Sequence, residues 1–260
     1  MLASAGRIME VCGEDSDPDS SAGLAAGGIS KADRAADTKS GAGNAPLPGG
    51  FLGIEAEQVN IAYGEETVVR NTSFSVKPGQ MVMLVGRSGI GKTTLLRGIM
   101  GFLPVNDGSL SFVDANGKRF PCADRTRTLI SYVPQGNTLM FGTIAENLRM
   151  GKSDATEEEM KEALRTADAL DFVSELPQGI DTVIGEKAAG ISEGQAQRIS
   201  IARALLKRAG ILILDEATSA LDENTERKIL EAISRAEHPT CLFVSHRRYL
   251  EKYADQVIEL

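Results

Sequence analysis

Eight consecutive residues in the first half of the chain have the types and spacing needed to hold a phosphate. Residues 86–93 read Gly-Arg-Ser-Gly-Ile-Gly-Lys-Thr and fit the pattern G-x-x-x-x-G-K-[ST]. The glycines allow backbone N–H groups to point inward at a phosphate, and a helix starting there adds the positive end of its dipole. Lys92 could then reach β- and γ-phosphates, and the Thr93 hydroxyl could bind Mg²⁺. The predicted phosphate-binding residues are Gly86, Arg87, Ser88, Gly89, Ile90, Gly91, Lys92, Thr93 and Thr94.

Two adjacent carboxylates follow an apolar run in the second half of the chain. Residues 211–214 are Ile-Leu-Ile-Leu, and Asp215 and Glu216 come directly after them. Ligands bind at the C-terminal ends of the strands in open α/β sheets, which is where a strand over 211–214 would place both acids. Neighbouring residues on a strand point to opposite sides, so we expect a division of labour. Asp215 would hold Mg²⁺, and Glu216 would orient or deprotonate an attacking water.

Apolar patterns predict the elements that must position these groups. Alternating polarity predicts a small antiparallel sheet, and its candidate strands are residues 54–62, 68–76 and 109–113. Continuous apolar runs are typical of parallel strands that helices cover on both faces. These runs are residues 81–85, 129–133, 211–214 and 241–244. Helices are expected after the phosphate-binding residues and at 144–150, 157–169 and 192–207. The sequence therefore predicts an α/β fold with a largely parallel sheet.

Composition and charge narrow the classes of function. The chain has 260 residues, of which 42% are hydrophobic and 25% charged, as in ordinary globular proteins. Its 28 basic and 36 acidic residues give a net charge of −8, and because no basic patch stands out we expect no nucleic-acid partner. Cys12, Cys122 and Cys241 are far apart and form no CxxC pair, which suits a reducing compartment.

The chain divides into an N-terminal segment without apolar periodicity and a longer segment with it. Residues 1–50 are dominated by Ala, Gly, Ser and Asp without apolar periodicity, so we interpret them as a disordered tail or linker. The folded domain is expected at 51–260. No run approaches the roughly 18 to 20 apolar residues of a membrane-spanning helix, and the N-terminus lacks the pattern of a secretory signal. We therefore expect a chain that does not cross a membrane by itself.

Further segments carry a resemblance to a known family. Residues 190–198 read Gly-Ile-Ser-Glu-Gly-Gln-Ala-Gln-Arg, and residues 214–222 read Leu-Asp-Glu-Ala-Thr-Ser-Ala-Leu-Asp. With the phosphate loop (residues 86–93), these segments resemble the ATP-binding cassette (ABC) family over nearly all of residues 51–260. The resemblance implies a P-loop NTPase core with a mostly parallel sheet, an N-terminal antiparallel β subdomain and an inserted α-helical subdomain at about 137–207.

The resemblance also implies roles for individual residues. Tyr63 would stack on the adenine of ATP. Gln135, in Val-Pro-Gln after a predicted strand, would sense Mg²⁺ and the attacking water, and His246, after the last strong strand, would contact the γ-phosphate. The implied catalytic residues are Glu216, His246, Gln135 and Lys92. The implied magnesium ligands are Thr93, Gln135 and Asp215.

A second phosphate-binding surface is implied at residues 191–195, which are similar to the signature motif of the family. Ser192, Gly194 and Gln195 would lie at a helix N-terminus, where a hydroxyl, free N–H groups and the helix dipole can meet an anion. Glu193 stands where glycine is commoner, a variation that also occurs in working exporters. In the family, two such domains pair head to tail, identical or not, and each ATP lies between the phosphate loop of one and the signature of the other. Asp222 would organise the opposite domain across this interface.

Two segments are similar to the exporter branch of the family. Residues 182–187 and 141–148 resemble the parts of exporter domains that contact the cytoplasmic loops of the transmembrane domains. The implied partner surface comprises Gln135, Met140, Phe141 and Glu186. The resemblance therefore implies an ATPase that uses ATP and Mg²⁺ and works at the cytoplasmic face of a membrane with a membrane-spanning partner.

Three other interpretations share part of this pattern. A soluble cassette ATPase acting on DNA or ribosomes would be expected to carry a coiled-coil insertion or tandem cassettes. A small-molecule P-loop kinase would need residues 86–93 but neither the signature nor His246. A domain that binds ATP without turnover would be revealed by comparing ATP turnover with that of a Glu216→Gln variant.

Overall fold

A computed structural model of the chain describes residues 47–136, 138–185, 190–235 and 239–260. The predicted tail lies outside these ranges up to residue 46, as does the predicted partner-contact residue Glu186. The strands are β1 (Gly53–Tyr63), β2 (Glu66–Val76), β3 (Met81–Val85), β4 (Asp107–Val113), β5 (Arg119–Pro121), β6 (Ile130–Val133), β7 (Gly142–Thr143), β8 (Val183–Ile184), β9 (Ile211–Asp215), β10 (Thr240–Val244) and β11 (Gln256–Glu259). The helices are α1 (Lys92–Ile99), α2 (Ile144–Arg149), α3 (Glu157–Thr166), α4 (Leu170–Glu175), α5 (Glu193–Leu206) and α6 (Glu223–Arg235).

The predicted antiparallel sheet is confirmed. Its strand order is β2-β1-β4-β5, and each neighbouring pair is antiparallel. Ile54 lies opposite Val76 on one side and Phe112 on the other, so the alternating apolar residues meet on one buried face. The fourth strand, β5, has three residues and no apolar alternation to reveal it.

The predicted parallel sheet is also confirmed, in the order β11-β3-β10-β9-β6. Alternate residues of each central strand belong to different apolar clusters. Leu212 and Leu214 face the cluster that includes helices α5 and α6, whereas Ile211 and Ile213 face the cluster that includes α1 and the antiparallel sheet. Because both faces are covered, β3 is apolar throughout, and β9 and β10 are apolar except for Asp215 and Thr240 at one end of each. The edge strand β11 was not predicted.

Helices α2, α3 and α5 lie within the predicted helical ranges, and side chains define where they start. Thr143, Thr156 and Ser192 each accept a hydrogen bond from the backbone N–H three residues on, which satisfies a free donor of the first turn. The predicted helix at 157–169 was too long. It ends at Thr166 because Asp168 adopts a left-handed backbone with φ 51°, and α4 starts two residues later.

Helix α6 was missed although its sequence carries a helical period. Ile229, Leu230 and Ile233 are buried and lie on one face, at the i, i+1, i+4 spacing of an amphipathic helix. Within the described ranges, no helix combines the length and apolar character needed to cross a bilayer.

Candidate functional site

The phosphate loop connects β3 to α1 with a backbone that only glycine adopts readily. Gly89 and Gly91 have φ of 78° and 115°, and a Cβ on Gly91 would lie 3.1 Å from the Val68 side chain. Helix α1 begins at Lys92 with no side-chain cap and no acidic residue in its first turn. Its first N–H groups therefore remain available to an anion, as the sequence predicted.

Lys92 is buried in this loop and held by the loop itself. Its Nζ donates hydrogen bonds to the carbonyl oxygens of Gly86 at 2.8 Å and Arg87 at 3.0 Å. These two contacts fix the ammonium group against the curved backbone, where it can add a third hydrogen bond to a ligand. The geometry is that of a cation placed in advance for a phosphate.

The loop, both strand-end acids and two further predicted residues meet in one cleft of about 410 Å³. We call this space the cleft. The lining residues are Ser88, Gly89, Gly91, Lys92, Thr93, Thr94, Gln135, Asp215, Glu216 and His246. The fold therefore brings all of the implied catalytic residues and magnesium ligands to one place, from four separate parts of the sequence.

A larger crevice, of about 770 Å³, lies elsewhere and contains no predicted site residue. Its apolar walls come from the first residues of the domain, from α3 and α6 and from the end of α5, including Phe51, Leu205 and Ile233. Charged side chains line both spaces, so neither size nor charge marks the candidate site; the meeting of a phosphate loop with the acids at a strand end distinguishes the cleft.

Asp215 ends β9 and is buried at the base of the cleft. Burial is the main cause that raises the pKa of its carboxyl, and the Glu216 charge acts in the same direction. The Tyr132 hydroxyl opposes this effect by donating a hydrogen bond to Asp215 Oδ2 at 3.1 Å. Burial also raises the pKa of Tyr132 to about 12, so this hydroxyl remains a donor at neutral pH.

Glu216 and His246 form a pair at the mouth of the cleft. His246 Nε2 lies 2.7 Å from Glu216 Oε1, and because an ionised carboxylate only accepts, the imidazole is the donor. Glu216 has a left-handed backbone with φ 50°, which costs a non-glycine residue roughly 1 kcal/mol or more. The backbone at this position directs the carboxylate towards His246 at the expense of local stability.

The cleft offers the donors that Mg²⁺ prefers. Thr93, Gln135 and Asp215 supply a hydroxyl, an amide and a carboxylate, and magnesium in phosphate sites uses one or two carboxylates together with ligand phosphates and water. No cluster of three or more His, Cys, Asp or Glu side chains suited to a metal occurs among the described residues. The donor set thus fits a magnesium ion bound together with a nucleotide.

Seven implied nucleotide-binding residues do not line the cleft, and three of these, Gly86, Arg87 and Ile90, belong to the phosphate loop itself. Tyr63 ends β1 with an exposed ring, and its hydroxyl accepts a hydrogen bond from Arg97 at 2.7 Å. Ser192, Gly194 and Gln195 lie at the start of α5 and do not line the cleft. The two implied phosphate-binding surfaces therefore do not meet within one chain.

The start of α5 is a capped helix N-terminus at the protein surface. Ser192 Oγ accepts from the Gln195 N–H at 3.2 Å, and Gln195 Oε1 accepts from the Ser192 N–H at 2.8 Å. A Cβ on Gly194 would lie 3.2 Å from the Ala220 carbonyl oxygen, so a small residue is favoured where the loop at 218–222 packs on α5. Asp222, implied at the interface, caps α6 by accepting from the N–H groups of Asn224 and Thr225 at 3.0 Å.

Sequence reasoning missed a buried ionic network beneath the loop at 218–222. Glu226 is 1% exposed and accepts hydrogen bonds from Thr218, Tyr249 and Arg247, the last at 2.6 Å. Arg247 also donates to the carbonyl oxygens of Ser219 at 3.2 Å and Leu221 at 3.0 Å. The residue after His246 therefore holds this loop in place. The sequence did carry one signal for this network. Glu226 lies three residues before Ile229, on the apolar side of α6, where a carboxylate requires a buried partner.

Three exposed apolar residues lie in or beside the segments predicted to contact a partner. Met140, Phe141 and Val183 are exposed by 57%, 72% and 53%, and the pairing of β7 with β8 brings the segments that carry them together. We call these three residues the apolar patch. Buried Asn147 fixes the main chain of Met140 by donating to its carbonyl at 2.9 Å and accepting from its N–H at 2.8 Å.

Comparisons with known proteins identify the family. The family model described as ABC transporter matches residues 69–219. The chain belongs to the ABC transporter family. It is 41% identical over 206 residues to the ATP-dependent lipid A-core flippase of Desulfotalea psychrophila, covering 79% of this chain and 36% of the flippase. It is 40% identical over 208 residues to a probable ABC transporter ATP-binding/permease protein of Haemophilus influenzae, covering 79% of this chain and 37% of that protein.

A solved structure supports the same assignment. The structure of a bacterial Atm1-family ABC exporter with ATP bound is 33% identical, with a TM-score of 0.76, and the match covers 84% of this chain and 38% of that chain. The predicted family and fold are confirmed, and the chain is an ATP-binding ATPase domain of the exporter type. The small-molecule kinase interpretation was wrong. The chain spans about a third of the length of these curated relatives.

Proposed function

We propose that this ABC domain powers an exporter by closing on ATP as a head-to-tail pair at the cytoplasmic face of a membrane. The observation that carries the proposal is the separation of the two phosphate-type surfaces. The cleft holds the phosphate loop, the strand-end acids and His246, whereas the residues at the start of α5 are outside it and partly exposed. A second domain facing the first supplies the missing wall of the cleft.

Within the cleft, the chain binds and orients ATP before any bond breaks. Lys92 and the first N–H groups of α1 contact the β- and γ-phosphates, and Thr93, Gln135 and Asp215 hold Mg²⁺. Bound there, Mg²⁺ neutralises negative charge on the phosphate oxygens. Tyr63 is the adenine contact. Its hydroxyl is held by Arg97, which limits rotation of the ring.

Glu216 and His246 act on the nucleophile. Since His246 holds Oε1 of Glu216, the other carboxylate oxygen is available to accept a proton from water. The water oxygen forms a bond to the γ-phosphorus as the bond from the γ-phosphorus to the bridging oxygen breaks, giving ADP and phosphate. Lys92 stabilises the charge that develops on the transferring group.

The second domain contributes Ser192, Gly194 and Gln195 to the same ATP. The Ser192 hydroxyl and the N–H groups of the first turn of α5 complement the charge of the γ-phosphate. Glu193 is exposed at the start of α5, and in the pair its carboxylate has to turn away from that phosphate, which it would otherwise repel. ATP therefore stabilises the pair, and its hydrolysis reopens it.

A membrane-spanning partner docks on the apolar patch. Exposed Met and Phe side chains are common at protein interfaces, and Gln135 in the cleft is five residues from Met140 along the chain. Relatives named as ATP-binding/permease proteins extend well beyond the matched segment. Such a partner selects the transported substrate, whether it is joined to this domain or separate.

A Glu216→Gln variant tests the pairing directly. Without the base, the domain should release no phosphate, and ATP with Mg²⁺ should convert it to a dimer on gel filtration. Lys92→Ala is the matched control, since it removes the phosphate contact and should give a monomer that does not bind ATP. A Glu216→Gln protein that binds ATP and stays monomeric at all concentrations would overturn the head-to-tail proposal, and unchanged turnover would overturn the assignment of the base.

A further inference from the structure

Tyr132 lies on β6, beside the strand that carries Asp215. The parallel register pairs Tyr132 with Ile213, two residues before Asp215, so all three side chains project from the same face of the sheet. From this position the Tyr132 hydroxyl donates a hydrogen bond to Asp215 Oδ2 at 3.1 Å. Within the described part of the chain, no other hydrogen bond reaches either carboxylate oxygen of Asp215.

The charges of Lys92 and Arg97 also act on the Asp215 carboxylate, but among the described residues neither side chain hydrogen-bonds to it. On the opposite side, the register of β10 places apolar Val244 beside it. The torsion that rotates a carboxylate about its Cβ–Cγ bond has a broad energy minimum, so packing alone fixes it poorly. A hydrogen bond to one oxygen sets that rotation and leaves Oδ1 as the oxygen available to a ligand.

A carboxylate with one oxygen already engaged is suited to one kind of cation. Mg²⁺ is small, demands octahedral geometry and takes single oxygens from its carboxylate ligands in phosphate sites. Ca²⁺ is larger and accepts both oxygens of one carboxylate in irregular geometry. Occupation of Oδ2 by the tyrosine hydroxyl therefore favours Mg²⁺ over Ca²⁺.

We propose that Tyr132 is a positioning residue for the magnesium-binding oxygen of Asp215, and that it sets the preference of this domain for Mg²⁺ over Ca²⁺ with ATP. The inference rests on the proposed function only in taking Asp215 as a magnesium ligand. It concerns a tyrosine outside the predicted site residues.

The test compares nucleotide binding by the Tyr132→Phe variant with nucleotide binding by the unchanged 260-residue chain. Tyr253→Phe is the matched control, because Tyr253 donates to a carboxylate, that of Glu231, at 3.3 Å and does not line the cleft. Binding of a fluorescent, non-hydrolysable ATP analogue is titrated with Mg²⁺, with Ca²⁺ and in EDTA. Loss of a group that orients a metal ligand typically weakens metal binding by about 10-fold or more.

We expect the Mg²⁺ midpoint of Tyr132→Phe to rise about 10-fold while its Ca²⁺ midpoint stays the same or falls and its affinity in EDTA stays unchanged. Tyr253→Phe should match the wild type in all three conditions. Equal shifts with Mg²⁺ and Ca²⁺, or weaker binding in EDTA, would indicate a packing role and overturn the inference. An unchanged Mg²⁺ midpoint would overturn it and leave the proposed function standing. A wild-type protein insensitive to Mg²⁺ would overturn both.

Discussion

The buried network around Glu226 predicts a large loss of stability when its cation is removed. In an Arg247→Met variant the Glu226 carboxylate, 1% exposed, keeps only the neutral donors Thr218 and Tyr249. Leaving a buried charge without its partner costs about 3–5 kcal/mol. Because the Arg247 side chain is 34% exposed and water screens part of the interaction, we expect the lower end, about 3 kcal/mol. In a domain of this size that corresponds to a fall in Tm of roughly 6–12 °C.

The assay is urea unfolding followed by circular dichroism, with a double-mutant cycle. Arg248→Met is the control, since Arg248 is the exposed neighbour of Arg247 and its loss should change the free energy of unfolding by less than about 0.5 kcal/mol. Glu226→Gln removes the charge that needs a cation, so the Glu226→Gln, Arg247→Met double variant should be destabilised by less than the sum of the two single variants. A loss below about 1 kcal/mol for Arg247→Met, or strictly additive effects, would refute the ionic account of this network.

Two other predictions concern the cap of α5 and the cysteines that the structure describes. Ser192→Ala should remove the cap of α5 and lower the free energy of unfolding by about 1 kcal/mol, whereas Ser192→Asp keeps the cap and adds a negative charge at the proposed phosphate contact. We therefore expect Ser192→Asp to unfold like the wild type in urea. Combined with Glu216→Gln, it should form no ATP-dependent dimer on gel filtration. A dimer would contradict the proposed phosphate contact. Burial raises the pKa of both Cys122 and Cys241 from 9.0 to about 12, so between these values the unfolded chain loses thiol protons that the folded chain retains. The free energy of unfolding should fall as pH rises through that window, and at pH 8 a thiol reagent should label the fully buried Cys241 only after unfolding; labelling of Cys241 in the folded protein within minutes would contradict its burial.

The parts of the site that chemistry constrains were predictable from sequence. Few local structures require the glycine spacing of the phosphate loop. At Gly91, the positive φ and the contact with Val68 exclude other residues. The apolar run before Asp215 indicated a strand covered on both faces, and the structure confirms it. In both cases the local residue pattern indicates the backbone, although the contacts that enforce it come from elsewhere in the chain.

The parts that depend on contacts distant in sequence were not predictable. Helix α3 stops early because Asp168 takes a left-handed backbone, and this residue lies 3.5 Å from Lys228 on α6 and accepts a hydrogen bond from Arg198 on α5. The bond between Tyr132 and Asp215 depends on the register of two strands about 80 residues apart. Single-sequence patterns carry no information on either pairing. The amphipathic period of α6 was visible and was overlooked.

The left-handed backbone of Glu216 lowers the stability of the fold at the residue proposed to activate water for hydrolysis. Glycine adopts φ 50° without strain, so replacing Glu216 by glycine would relax the main chain as it deletes the proposed base. Where the relief of this strain exceeds the entropy that glycine adds to the unfolded chain, selection for stability alone would favour loss of the proposed base. Retaining an acidic side chain here requires continued selection for ATP consumption itself.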